Sequence, residues 1–371
     1  MKTQLMMKPA LMAVATALTI FSCKKGNVTT MPPTTQYNVS QTNLIADAAG
    51  FNAAKIDPDL VNAWGLAANQ IGIVWVASNH KALSTIYDTT GQTLRLPVRI
   101  PSNGNQTGKP TGMVFNNSSD FGNNKFIFAD ENGTISAWIS NDDAAIVANG
   151  GPGAVYKGLA MATNAGANFL YAANFKAGKI DVFDKEFKHV DTNGFTDTTI
   201  PAGFAPFNVQ NIGGMLYVTY AKLAGPDNVN DSPGPGNGYV NIFKPDGTLV
   251  KRFASQGSLS SPWGVTHAPA GFAAQTETIL VGNFGDGRVN VFDTDGNYKG
   301  QLQANGQPLT IEGLWALDFV KPDPAASSSL YFTAGPGGEA HGLFGFLKTS
   351  VATNNPNNGN NTNMGLQDID V

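Results

Sequence analysis

The chain has 371 residues, a formal net charge of −4 and 13% charged side chains, set against 42 glycines, 21 prolines and a single cysteine. So much Gly and Pro excludes a long coiled coil or helical solenoid, which draws about half its residues from Ala, Glu, Lys, Leu and Arg. A 42% hydrophobic fraction with 22 Phe, 9 Tyr and 5 Trp excludes wholesale disorder, and an acidic balance without a basic run argues against a nucleic-acid partner.

In chain order, residues 1–22 read as a lipoprotein signal peptide. Lys2 and Lys8 form a positive start, and the apolar run Ala10–Phe21 is too short for a membrane-spanning helix, which needs about 20 residues. Ile20-Phe21-Ser22-Cys23 then resembles a bacterial lipobox, with an aliphatic residue at −3 and a small one at −1. Cys23, the sole cysteine, is the expected lipidation site, so neither a disulfide nor a catalytic thiol is available. The alternative is an ordinary signal peptide followed by a chance cysteine. Two or more acyl chains would anchor the protein stably. With Lys24 next, the expected address is the bacterial cell envelope, as an outer-membrane lipoprotein facing the periplasm or the surface. The membrane is touched only through this anchor.

Residues 23–36 form a polar, Pro-containing tether. At the other end, residues 349–371 form an Asn-rich tail expected to be disordered. Between them, residues 37–348 carry six repeats. Each opens on a short apolar run: AWGLA (63–67), PTGMVF (110–115), YKGLAMA (156–162), APFNV (205–209), SPWGV (261–265) and GLWALDF (313–319). A strongly β-prone run follows each, such as IVWVASN (73–79) or FLYAAN (169–174), and most add a third, such as KIDVFD (179–184). Anchored on Gly65, Gly112, Gly158, Asn208, Gly264 and Ala316, the spacings are 47, 46, 50, 56 and 52. Periods near 40–50 with three or four short strands each specify propeller blades, and the AsnGly and AspGly pairs at 132–133, 246–247, 286–287 and 295–296 fall where hairpins reverse. The expected fold is all-β, a six-bladed propeller. Tyr37–Asp47 has no blade of its own and is expected to supply the missing strand of the last one, closing the ring.

The segments QTNLIAD, DPDLVNAWGLA, LYAANFKAGKIDVFD, PAGFAPFNVQNIGG, LVGNFGDGRVNVFD and LYFTAGPGGEAHGLFG, with shorter matches across about residues 40–346, resemble an uncharacterised family of secreted bacterial six-bladed propellers with NHL-like repeats. Some members of that family carry a PEP-CTERM sorting tail. The resemblance implies the fold and an extracytoplasmic site but no activity. This chain differs in having a lipobox in front and no sorting helix behind.

Propellers bind ligands where inner strands converge on the channel. In calcium-dependent lactonases and gluconolactonase-like hydrolases of similar blade pattern, the residue before the anchoring glycine is often an oxygen ligand. Here those positions are Trp64, Thr111, Lys157, Phe207, Trp263 and Trp315, which cannot assemble the six to eight oxygens that calcium takes. Either they form an aromatic mouth that stacks on a flat ligand, or they wedge between blades as core. Trp263 is the one expected to stay partly exposed, because Ser260-Ser261-Pro262 reads as a rim loop.

Glu312 is the acid nearest an inner strand and could be a base or metal ligand. A second ring, Asn79, Asp130, Asn174, Tyr220, Asn283 and Glu339, ends or follows the second strands; such residues either form turns or converge as ligands for a hard cation. Glu339 and His341 would share one face if their segment were a strand, although the surrounding glycines favour a turn. The loop Pro226–Pro235, with Asp227, Asn228, Asn230 and Asp231, echoes a calcium loop but lacks its alternating spacing and distal Glu, and reads instead as a mobile rim loop.

No cofactor is expected, calcium being possible. The leading expectation is therefore a lipid-anchored, non-enzymatic and monomeric propeller that takes a small molecule, glycan or protein at its channel mouth. The alternative is a calcium-dependent lactonase or related hydrolase.

Overall fold

The computed structural model describes residues 1, 37–104, 106–272, 274–320 and 329–349; Cys23, the leader, the tether and residues 350–371 of the Asn-rich tail lie outside them, while Thr349, expected to begin that tail, instead ends the last strand opposite Val39. Six antiparallel sheets follow one another around a ring. Their inner strands are Ala63–Ala68, Pro110–Phe115, Tyr156–Asn164, Phe204–Ile212, Pro262–Ala268 and Leu314–Phe319, which define blades 1 to 6 in chain order. Each repeat found in the sequence is one blade.

The repeat signal has a physical origin at one position. Every inner strand breaks register with its neighbour there, between Ala63 and Leu66 in blade 1, Pro110 and Met113, Tyr156 and Leu159, Pro206 and Asn208, Pro262 and Val265, and Leu314 and Leu317. These are β-bulges, which bend the strand and re-aim a side chain. In five blades the bulge takes in the pair that carried the sequence pattern, Trp64-Gly65 in blade 1 and its equivalents; in blade 4 it takes in Phe207 alone, Asn208 being paired with Thr219. The glycine is required by the next blade: a methyl group on Gly65 would overlap the carbonyl oxygen of Thr111, and one on Gly112 the backbone of Gly158 and Leu159. Blade 4 has Asn208 instead, and its amide donates to the Trp263 carbonyl at 2.9 Å.

The ring closes through the N-terminal strand Val39–Ala46, which pairs antiparallel with Leu343–Thr349 of blade 6. Val39, Leu44, Ile45 and Ala46 are buried there. Asp47 completes the clasp, accepting from the Gly342 amide at 3.0 Å and pairing with His341 Nδ1 at 3.0 Å. Apolar cores lie between successive sheets, one of them joining blades 3 and 4 through Tyr171, Ile180, Val218 and Phe243. A further core fills the channel itself.

Candidate functional site

The bulges drive the six predicted channel residues toward one another at the end where the inner strands begin, here termed the upper end. Trp64 stacks on Trp315 with ring centroids 3.7 Å apart, and Phe284 stacks on the other side of the set at 3.9 Å from Trp315. Trp263 and Phe207 approach Trp315 at 5.9 Å each. The Lys157 ammonium lies 5.1 Å from the Trp64 ring centroid, a cation–π contact. Thr111 is fully buried and donates to the Tyr156 carbonyl at 2.9 Å.

The expectation of an open aromatic mouth needs correction. Trp64, Trp263 and Trp315 are 2%, 4% and 1% exposed, and Trp263 is no exception, since its Nε1 donates to the Lys157 carbonyl at 2.8 Å. Six tilted strands leave room at the axis for side chains, and large rings fill it. The aromatics are a plug in the channel, and the mouth lies above them. Phe284, which the repeat alignment passes over, is the half-buried aromatic that does line a cleft.

On the plug rests a polar relay. Lys157, 4% exposed, pairs with Glu131 Oε1; Asn79 Nδ2 donates to Glu131 Oε2 at 3.3 Å; Asn62 Nδ2 lies 3.4 Å from Asn79 Oδ1 and donates to Glu339 Oε2 at 2.7 Å. Trp315 Nε1 supports the relay from below by donating to Asn62 Oδ1 at 2.9 Å, and His80 Nε2 flanks it 3.5 Å from Asn62 Nδ2. The two glutamates are shifted in opposite directions. Burial opposes ionisation of Glu131, but Lys157 and Asn79 outweigh it and hold the carboxyl below its ordinary range. Burial pushes Glu339 up, against the opposing pull of Lys157 and with the Glu131 charge adding to the rise.

Three of the chain's left-handed non-glycine residues lie here: Asn62, Ser261 and Glu339 have φ of 48°, 46° and 70°, a region that non-glycine residues enter at a cost of about 1–2 kcal/mol. Trp64 Nε1 is buried without a hydrogen-bond partner. Asp231 belongs to the segment expected to be a mobile loop. Instead, Asn230–Asp231 pairs with Leu223 and Ala224, and the Ser232 amide donates to the Lys222 carbonyl at 2.7 Å. The segment is a strap at the mouth. Burial raises the Asp231 carboxyl above its usual range.

Two clefts open on either side of the strap. One, of about 730 Å³, is walled by Asn103, Gln106, Lys109, Glu131, Asn132 and Asn149, with Asn230 of the strap. The other, of about 290 Å³, is bounded by Phe284, Asp286, Thr310, Glu312 and Glu339, with Pro233 of the strap.

The predicted polar ring divides. Asn79 and Glu339 reach the relay. Asp130 instead takes Ser102 Oγ at 3.1 Å and the amides of Lys109 and Asn132, Asn174 donates to Asp181 at 2.7 Å, and Asn283 donates to Asp286 at 2.9 Å and to the Ser258 carbonyl at 2.8 Å. Tyr220 is buried. Glu312 is an exposed rim residue that accepts from the Gly337 amide at 3.0 Å and lines the smaller cleft. Glu339 and His341 lie in a turn and have different partners, Asn62 and Asp47, so they do not act as a pair.

Asn62 and Glu131 were not singled out from the sequence, and Asp231 only as a member of the Pro226–Pro235 loop. Glu131 directly follows Asp130, and the residue just past the strand end, not the last one in it, turns to the axis. Among the described residues, no group of three or more His, Cys, Asp and Glu side chains is placed to hold a metal ion. The cation beside Glu131 is the chain's own Lys157.

No protein-family model matches the chain. It is 35% identical over 332 residues to an uncharacterised protein of Acanthamoeba polyphaga mimivirus, covering 84% of each chain. A second uncharacterised protein of that virus is 34% identical over 316 residues, covering 80% of this chain and 76% of its own. The chain belongs to one family with them. Three solved structures share the fold at 84% coverage of this chain. A Bacteroides thetaiotaomicron protein of unknown function matches at TM-score 0.55 (11% identity, 76% of that chain). A Penicillium chrysogenum α-L-arabinanase complexed with arabinobiose matches at 0.54 (12%, 98%) and a streptogramin B lyase at 0.50 (12%, 97%). At such identities the likeness is one of fold alone.

Proposed function

We propose that this member of the mimivirus-related family is a propeller that binds a neutral, polyhydroxylated ligand of the carbohydrate class at its upper mouth. The observation that carries the reading is the wall of the larger cleft. Its polar side chains are amides that donate and accept, joined by one cation, Lys109, and one anion, Glu131, beside a smaller apolar patch of Pro152, Ala154, Val155 and Val229. Such a wall complements hydroxyl groups and offers no trap for a multiply charged anion. Phe284 in the smaller cleft adds a ring face on which a sugar can stack. The shared fold of a sugar-binding arabinanase is compatible with this reading.

Lipid anchoring through Cys23 and an extracytoplasmic address remain part of the proposal, carried by the Ile20–Cys23 sequence.

The test is a glycan microarray probed with the purified chain, followed by titration calorimetry on any retained oligosaccharide. Asn132→Ala and Asn149→Ala should each weaken binding by about fivefold or more while leaving the melting temperature in place, since loss of one ligand hydrogen bond is worth about 1 kcal/mol. An array on which no glycan is retained refutes the carbohydrate reading.

A further inference from the structure

We propose that the upper mouth hydrolyses a glycosidic bond, with Glu339 as proton donor and Glu131 as the fixed carboxylate facing the reacting carbon. The inference rests on the carbohydrate reading and extends it from binding to chemistry. Four independent features meet at the mouth. Glu131 and Glu339 line the two clefts that flank the strap, so one ligand crossing the mouth meets both. The Asn79–Asn62 relay connects them, its backbone strained at Asn62 and Glu339, and strain of this kind persists where surrounding structure enforces a functional geometry. Trp64, whose ring lies beneath the Lys157 ammonium, keeps a fully buried Nε1–H without an acceptor, an unsatisfied donor of the kind that marks a ligand or catalytic site. The pairing with Lys157 holds the Glu131 carboxyl low, while Glu339, which accepts from the Asn62 amide, is raised by burial. Two carboxyls whose surroundings push them in opposite directions are the pattern from which acid and anion roles are assigned.

The ligand class sets the bond. Glycoside cleavage passes through an oxocarbenium-like state, and in this assignment the Glu131 carboxylate, held by Lys157 and Asn79, faces its positive charge. The carboxyl proton of Glu339 passes to the leaving oxygen as the carbon–oxygen bond breaks, and the Glu131 carboxylate meets the positive charge on the carbon. Water then bonds to that carbon and gives its proton to the Glu339 carboxylate. Both carboxyls return to their starting states and one water is consumed.

The experiment incubates the full chain with 4-nitrophenyl glycosides of common pentoses and hexoses and with every oligosaccharide retained on the array, following nitrophenolate and reducing ends. The expected result is turnover of at least one probe, reduced 10²-fold or more in Glu339→Gln and in Glu131→Gln. Binding of the retained oligosaccharide should survive in Glu339→Gln. Glu339→Asp, which keeps the acid, should recover part of the rate and confirms that the loss is chemical. Retention of glycans without turnover overturns the catalytic assignment and leaves the binding reading standing. Failure to retain or turn over any probe removes both. Turnover that is unchanged in Glu339→Gln assigns the proton donor elsewhere and overturns the proposal.

Discussion

Replacing Trp315 with alanine should destabilise the whole propeller, because its ring is the centre of the channel plug and not a ligand platform. It is 1% exposed and lies against Trp64 and Phe284 at 3.7 and 3.9 Å, with Trp263 and Phe207 at 5.9 Å. Truncating a buried Trp costs about 3–5 kcal/mol through lost transfer energy and the cavity left behind. The two stacked contacts, about 0.5–1.5 kcal/mol each, place the expected value at the upper end of that range. Trp315→Phe separates packing from hydrogen bonding. It keeps a ring between Trp64 and Phe284 but leaves Asn62 Oδ1 without its donor at 2.9 Å, for an expected loss of about 1–3 kcal/mol. Equilibrium urea unfolding followed by tryptophan fluorescence and far-ultraviolet dichroism measures both. Losses under about 1 kcal/mol for both variants would show that the ring is free to leave the channel, and the plug would have to be abandoned.

Ring closure makes the N-terminal strand indispensable: removing residues 24–36 should leave the melting curve unchanged. Removing residues up to 47 strips Val39, Leu44 and Ile45 out of blade 6 at about 1.5–3 kcal/mol each and should end cooperative unfolding. A soluble longer deletion that melts like the intact chain contradicts the closure. The two mouth glutamates should give stability–pH slopes of opposite sign. Glu131 has a folded pKa below its ordinary 4.5, so its contribution is complete above that value and is lost as pH falls through the folded one; Glu131→Gln should flatten the acid limb. Glu339 is raised, so its contribution is complete below 4.5 and is lost as pH rises through the folded value; Glu339→Gln should flatten that decline, and unchanged slopes in both variants refute the opposite shifts. Finally, Cys23→Ser should move the protein from the detergent phase to the aqueous phase on expression in a bacterial host, and a variant that still partitions with membranes rules out lipidation there.

Blade number, blade boundaries and ring closure were legible in the sequence because each has a local cause. A bulge that must place a large side chain toward the axis and a glycine against the next blade writes the same two-residue signature every 46–56 residues. A strand left over at one end has only one open edge to join. The six residues of that signature do converge, but their exposure was not written locally. Whether Trp263 faces solvent depends on how closely the six bulges meet at the axis, and that is a property of the closed ring. The relay was still less visible. Asn62 and Glu339 share a hydrogen bond across 277 positions, and Glu131 reaches Asn79 across 52. Strand-end polar residues look alike in sequence whether they cap their own turn, as Asn174 does, or cross to a neighbour, as Asn79 does. Local alternation and turn chemistry determined the architecture. The charged mouth was decided by closure, which alone brings the ends of different blades within hydrogen-bond reach.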